Sequence, residues 1–278
     1  MIPIVQVLGW RVRWRVPGWT VLIPWGMSLG SPRNPAQPNT AELWDAFDPD
    51  AYVEKNYRTV LWADEAIISI VRAHFSDHFR GNPSRRVRGI DVGAGANLYP
   101  AFTMLPWCDE ITLLDRSRPN LRYLERQLDE HDSGWDAFWQ QLCKDDSYAA
   151  LSGGPWDRLG KVARVEQGDL FALDRPGQWE IGTMFFVAES LSTDLDVFKG
   201  GVKRFLEALA PGAPFAAAFM EHSEGYKVKH TEFPACDVDQ SHIHQAVGAH
   251  AREFLIHRID GPKVRTGYTS MILACGFR

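Results

Sequence analysis

A chain of 278 residues, 45% hydrophobic and 23% charged, has the balance of a globular protein and enough length to bury a large core without disulfides or a structural metal. Its formal net charge of −5 argues against nucleic acid or an anionic membrane as the main partner, since both favour basic surfaces. The four cysteines, Cys108, Cys143, Cys236 and Cys275, are scattered without a C-x-x-C pair, which disfavours a zinc site or a disulfide framework and fits a reducing, cytoplasmic setting.

The N-terminal stretch sets Trp10, Trp14, Trp19 and Trp25 among Arg11, Arg13 and Arg15. A signal peptide needs a basic start and then an unbroken apolar run, and here the arginines fall inside the apolar region. No run approaches the length of a membrane-spanning helix. Residues 28–40, with Gly30, Pro32, Pro35 and Pro38, read as a loose linker. Residues 1–40 are therefore expected to be a poorly ordered extension and linker ahead of one domain over 41–278, with Met27 a candidate start of translation.

Asp48-Pro49 reads as a helix start, the aspartate capping and the proline at the first helical position. A longer amphipathic helix is expected from Asp64, with Ile67, Ile68, Val71, Phe75 and Phe79 at helical spacing and a stop at Gly81-Asn82-Pro83. A strand over Val87–Val92 enters the turn Gly93-Ala94-Gly95, and a helix follows Asn97. Next come a strand over Glu110–Asp115 and a helix over Asn120–Leu128, with Leu121, Leu124 and Leu128 on one face. Residues 131–161, carrying Trp135, Trp139 and Trp156, break the rhythm and read as partly helical. Strand patterns resume at Lys161–Glu166 and Ile181–Val187, then a helix over Asp194–Leu209 and a strand over Pro214–Met220. A helix near Gln240–His250 and two strands, Glu253–Ile259 and Gly267–Cys275, close the order. Alternating strands and helices imply an α/β doubly wound sheet, mostly parallel. The last connection is too short for a helical crossover, so the terminal strand is expected to be antiparallel.

Ile90-Asp91-Val92-Gly93-Ala94-Gly95 is the strongest local signal. Glycine lets the backbone bend sharply and lets a ligand approach with no Cβ in the way, and the amides that open the next helix suit polar groups. A dinucleotide fingerprint wants a small residue where this chain has Leu98. An acid just before the first glycine, here Asp91 with Val92 between, belongs instead to the turn that holds S-adenosylmethionine. A glycine-rich turn without any ligand is the plain alternative. Asp115 ends the second strand about 20 residues beyond the turn, where an acid can accept both hydroxyls of a ribose; it could equally cap the helix at Ser117. Gly168-Asp169-Leu170 follows the third strand, where an aspartate can accept from an adenine amino group, although Gly-Asp is also ordinary turn chemistry. Glu221 and Glu224, beyond the fifth strand, are candidates to orient an amine, and Tyr226 to flank an aromatic ring; loop solvation is the bland reading. His242, His244 and His250 lack a neighbouring carboxylate or cysteine that would complete a metal site.

Three segments carry a family resemblance. Phe47-Asp48-Pro49-Asp50-Ala51-Tyr52-Val53-Glu54-Lys55-Asn56-Tyr57 is similar to an F-x-P-x-x-Y-x-x-x-Y-Y signature. Tyr99 stands four residues after the second glycine, and Asp115-Arg116-Ser117-Arg118-Pro119-Asn120 keeps an acid, a serine and an asparagine in register. The chain thus resembles the small-molecule N-methyltransferases of nicotinamide, phenylethanolamine and thioethers or arylalkylamines, as a bacterial relative, over roughly residues 44–276. The resemblance implies a Rossmann-like sheet with N-terminal lid helices over 48–80 and S-adenosylmethionine as cofactor. It implies that Tyr52, Tyr57 and Tyr99 bond the methionine carboxylate and that Gly93, Gly95 and Asn97 line the methionyl part. Asp115 and Asn120 would hold the ribose, Asp169 and Leu170 the adenine, with Ala188 beneath the cofactor by backbone contact. The implied partner is a small molecule, not nucleic acid or a membrane, and the implied state a monomer or weak homo-oligomer. Asn56 departs from the signature where a tyrosine is common, and Phe186-Val187-Ala188-Glu189-Ser190-Leu191 follows the family only loosely. Hydroxyl methylation and cofactor binding without turnover are the competing expectations; the former needs a base or bound cation, and none stands out.

Overall fold

The computed structural model describes residues 39–81, 85–262 and 266–278, together with two strands nearer the N-terminus, β1 (Trp10–Val16) and β2 (Trp19–Pro24). These two pair antiparallel and belong to a separate unit ending at Ala36, a pairing that the scattered arginines hid from the sequence reading. The linker expected over 28–40 falls outside the described residues up to residue 38, as does the poor order expected there.

The main unit opens with α1 (Ala41–Asp45), α2 (Pro49–Asn56) and α3 (Trp62–Phe79). Asp48 caps α2 as expected, accepting from the Ala51 amide at 2.8 Å. Along α3 the apolar spacing turns Ile67, Ile68, Val71, Phe75 and Phe79 to one side, all buried. Each such side chain contributes roughly 1.5–3 kcal/mol. The helix stop expected at Asn82-Pro83 lies outside the described residues.

β3 (Val87–Val92) leads through the glycine turn to α4 (Tyr99–Phe102), β4 (Cys108–Asp115) and α5 (Arg118–Glu130). Asn120, Tyr123, Leu124 and Gln127 make the buried face of α5, so Leu121 and Leu128 are only half-buried and the expected leucine stripe is displaced by a mixed one. The tryptophan-rich stretch folds as α6 (Asp136–Leu142), α7 (Asp146–Ala149) and α8 (Gly154–Val162). Then follow β5 (Ala163–Gln167), β6 (Ile181–Phe185), α9 (Leu195–Ala208) and β7 (Pro214–Glu221). An unexpected hairpin, β8 (Tyr226–Val228) with β9 (Thr231–Phe233), precedes α10 (Gln240–Gly248), β10 (Glu253–Ile259) and β11 (Ser270–Phe277).

Seven strands form one sheet in the order β10-β11-β7-β6-β3-β4-β5. β7, β6, β3, β4 and β5 pair parallel, and β11 runs antiparallel to both β7 and β10. Along β7, Ala216 and Ala218 join one apolar cluster, with α3 and α4, while Phe215, Ala217 and Phe219 join another, with α9 and α10. Period-two alternation thus feeds two cores, one on each face of a covered sheet, and explains why the strand reads as an unbroken apolar run. The chain moves outward from β3 to β4 and β5, then returns to the other side of β3 with β6. This reversal opens a crevice beyond the carboxyl ends of β3 and β6, where open α/β sheets bind their ligands. Among the described residues no helix is long and apolar enough to cross a membrane.

Candidate active site

The crevice holds a cavity of about 450 Å³, within the range of roughly 300–1,000 Å³ common for ligand sites. Its floor is the glycine turn. Gly93 and Gly95 adopt φ of 65° and 55°, in the left-handed region where a side chain is strained. A Cβ on Gly95 would stand 3.8 Å from Asp115 Oδ2 and 3.7 Å from Asn120 Nδ2, filling the space these groups leave. Asp115 ties the floor together. Its carboxylate accepts from the Gly95 amide at 2.8 Å, from the Ser117 amide at 2.7 Å and from Asn120 Nδ2 at 3.3 Å. Burial raises its pKa, and the amide bonds oppose that rise. The cap expected of Asp115 falls instead to Ser117, which caps α5, while Asp115 orders the turn and lines the cavity.

Of the residues singled out in the sequence, Tyr52, Tyr57, Gly93, Gly95, Asn97, Asp115, Asn120, Asp169 and Leu170 line this cavity, as does Tyr226. Asp91, Tyr99 and Ala188 do not. Asp91 lies buried just beneath the turn, with Oδ1 accepting from Thr183 Oγ1 at 2.8 Å and Oδ2 without a partner among the described residues. Tyr99 is fully buried, stacked on Phe138 with ring centres 5.6 Å apart and edge-on to Tyr57. Ala188 is fully buried in a short 3-10 turn beside the cavity-lining Val187. Tyr57 and Tyr99 have pKa values pushed well above that of an ordinary phenol by burial, so both remain neutral hydrogen-bond donors.

The amine-orienting candidates separate in the structure. Glu221 sits at the end of β7, where its carboxylate accepts from Arg258 Nη2 at 2.8 Å and Thr269 Oγ1 at 2.7 Å. Arg258 and then burial act oppositely on its pKa, and the result is lowered. Glu224 is exposed, and neither glutamate lines this cavity. Tyr226 does, because the hairpin stacks it on Phe233 at 5.1 Å, and Phe233 packs in turn on Trp44 and Phe47. Lys229, in the hairpin turn, pairs with Asp48 Oδ2. The hairpin and the helices α1 and α2 thereby form one aromatic cover.

Sequence reasoning missed several walls. Trp44 and Phe47 line the cavity from the cover, and Phe186 lines it from the end of β6 with a strained φ of 61°. Arg116 lines it too, pairing with Asp169 at 3.0 Å; an arginine directly after the acid that ends β4 was the available signal. A smaller chamber of about 60 Å³ adjoins, sharing Tyr52, Tyr57, Phe186 and Tyr226 with the first. Asp64 lines this second chamber, and burial pushes its pKa up to about 7. Asn56, the departure from the tyrosine signature, lines it as well and donates to the Tyr52 carbonyl at 2.8 Å. Among the described residues no group of histidine, cysteine or acidic side chains could hold a metal ion.

Buried acids near the turn give a pH signature. Burial pushes the Asp91 pKa up to about 8, so the native state keeps this proton longer than the unfolded chain does. Its contribution to stability is fully present below about pH 4 and declines as the pH rises to about 8, by about 1.4 kcal/mol per pH unit. Asp64 follows the same course up to about 7. Urea midpoints of the ligand-free protein should therefore fall between pH 5 and 8, and Asp91→Asn should flatten part of that slope. An unchanged slope in the variant would remove Asp91 from the account.

The residues fit a nucleoside joined to an amino acid. Asn39 Oδ1, Asn97 Nδ2 and Asn120 Oδ1 are buried polar atoms with no partner among the described residues, on residues that line the cavity. A glycine turn after an acid, a second acid ending the neighbouring strand, and a reversed β11 inserted beside β7 together define an S-adenosylmethionine-dependent methyltransferase. The chain belongs to the NNMT/PNMT/TEMT family, whose sequence profile matches residues 36–260. No curated protein matches it. Among solved structures it is similar in fold to magnesium protoporphyrin IX methyltransferase from Synechocystis PCC 6803, determined with bound S-adenosylmethionine. That likeness has a TM-score of 0.53 and 13% identity, and covers 85% of this chain and 94% of that one. An S-adenosylmethionine-dependent methyltransferase from Clostridium acetobutylicum ATCC 824 gives a TM-score of 0.52 at 11% identity, covering 82% and 96%. The N-methyltransferase NodS from Bradyrhizobium japonicum WM9, in complex with S-adenosyl-L-homocysteine, gives 0.50 at 12%, covering 86% and 96%.

Proposed function

We propose that this enzyme transfers the methyl group of S-adenosylmethionine to nitrogen in a small molecule, an amine or a heteroaromatic base, using residues 41–278 as the catalytic unit with α2 and α3 as its lid. The observation that carries the reading is the pair of adjoining chambers divided by Tyr52, Tyr57, Phe186 and Tyr226. The larger suits the cofactor, with Tyr52 and Tyr57 toward its amino-acid end, Asp115 and Asn120 at the ribose and Asp169 with Leu170 at the adenine. Asp91, Tyr99 and Ala188 act from behind this wall. Arg116 holds Asp169 in place.

The bound cofactor supplies a methyl group already activated by its positive sulfur. The protein's share is to align the acceptor's lone pair and exclude water. Aromatic walls serve both ends, since a π face tolerates a neighbouring sulfonium or ammonium. No histidine lines either chamber among the described residues, and a neutral nitrogen does not require a strong base.

The test is release of S-adenosylhomocysteine across a panel of amines, heteroaromatic bases, phenols and carboxylic acids, after calorimetry has shown binding of S-adenosylmethionine. Turnover with nitrogen acceptors is expected. Turnover confined to phenols or acids would replace the reading with O-methylation, and binding without turnover on any acceptor would replace it with a sensor or scaffold.

A further inference from the structure

We infer that the smaller chamber seats the nitrogen-bearing group of the acceptor and that Asp64 is the carboxylate that pairs with its ammonium form and takes its proton. This rests on the N-methyl transfer reading above and names the residue that serves it, in place of Glu221 and Glu224.

Asp64 is the single acid among the described residues lining this chamber. The residue is only 4% exposed, and one carboxylate oxygen accepts a long bond from the Leu61 amide at 3.3 Å. The Tyr99 hydroxyl faces it as a neutral donor, and burial outweighs this contact and the Leu61 amide in raising the Asp64 pKa. No arginine, lysine or histidine forms an ion pair with it among the described residues. An acid at this position of a helix start can return a bond to the capping residue from a solvated surface; the cap does not require burial. A carboxylate so enclosed is costly until a cation joins it.

The surroundings suit that cation. Tyr52, Tyr57, Tyr226 and Tyr268 present aromatic rings to the same chamber, and an ammonium among them gains both a counter-charge and π faces. Two lysines line the chamber as well: Lys55 is exposed, and Lys227 reaches toward Glu232 at 3.5 Å. The Tyr57 and Tyr99 phenols, held neutral by burial, neither supply nor remove charge. Burial pushes the Asp64 pKa up to about 7, so the group can accept a proton and return it to solvent near neutrality.

The atoms balance as follows. The ammonium N–H bond breaks and its proton passes to the Asp64 carboxylate, leaving a neutral amine. The nitrogen lone pair then forms the N–C bond as the C–S bond breaks, its electron pair remaining on sulfur. The product leaves as the methylated ammonium, and Asp64 returns its proton to water.

The experiment is calorimetry on the protein saturated with S-adenosylhomocysteine, titrated at neutral pH with 2-phenylethylamine and with uncharged 2-phenylethanol. Asp64→Asn keeps the shape and removes the charge. It should weaken the amine by about 30-fold, as loss of one partner from a buried charge pair does. The alcohol, and S-adenosylhomocysteine itself, should stay within about twofold, which also shows that the variant folds. Amine affinity within about threefold of the unaltered protein would overturn the inference, as would failure of the unaltered protein to bind the amine better than the alcohol. If that protein methylates amines while Asp64→Asn does so with unchanged kcat/KM, Asp64 falls and nitrogen transfer stands. If it methylates none, both fall.

Discussion

Asp115→Ala should weaken S-adenosylmethionine binding by at least about 100-fold, roughly 3 kcal/mol, measured by calorimetry. Two effects add. A carboxylate facing a ribose gains charge-assisted bonds to both hydroxyls, each stronger than a neutral one. The same carboxylate fixes the floor by accepting from Gly95 and Ser117, so its removal leaves two amides unsatisfied and frees the turn whose shape admits the ligand. Asp115→Asn offers a partial control: its single carbonyl oxygen can keep one of these bonds, so its loss should fall between the two. Binding undiminished in the alanine variant would place the ribose elsewhere.

The second large effect is expected just behind the cavity wall. Trp135→Ala should cost about 3–5 kcal/mol of stability, read from urea denaturation. Trp135 is 1% exposed; its indole donates to the Tyr123 hydroxyl at 3.1 Å and its rings meet Tyr57 and Phe138 with centres 5.5 and 5.1 Å away. The cavity left by its removal lies directly behind a tyrosine of the cofactor chamber, so affinity for the cofactor should fall along with stability. Trp156→Ala, by contrast, alters a half-buried ring stacked on His131 at 5.1 Å, and should cost less than about 1 kcal/mol. Equal losses in the two variants would show that the segment acts as a loose cover, contrary to the packing.

What the sequence made legible was local. The strand entering Gly93, the acid ending β4, and the α3 periodicity depend on neighbours in the chain, and each stands where the spacing put it. The reversed last strand followed from the short connection before it. Contacts made across long stretches of chain were not legible. Glu221 is occupied by Arg258 and Thr269, 37 and 48 residues further on, and only the docking of β11 on β7 brings them there. The hairpin carrying Tyr226 turns through Lys229 and His230 without the glycine or asparagine that would announce it, so the wall it builds was invisible. Asp64 reads in the sequence as the start of an amphipathic helix, and only the fold brings it to one chamber with the remote Tyr226, Tyr268 and Met271. Within the site, the glycine-turn side was therefore readable and the smaller chamber was not: the first is built from a turn and a strand end, the second from segments meeting across the sheet.

The placement of β11 bears on how the chain reaches this state. β10 precedes β11 in the chain yet touches the sheet only through it, so it waits as an orphan until the later segment has threaded between it and β7. Pairings between distant segments bear the entropy of loop closure and form slowly. A ribosome-bound intermediate lacking β11 would expose the flank of β7, an apolar strand edge of the kind chaperones shield.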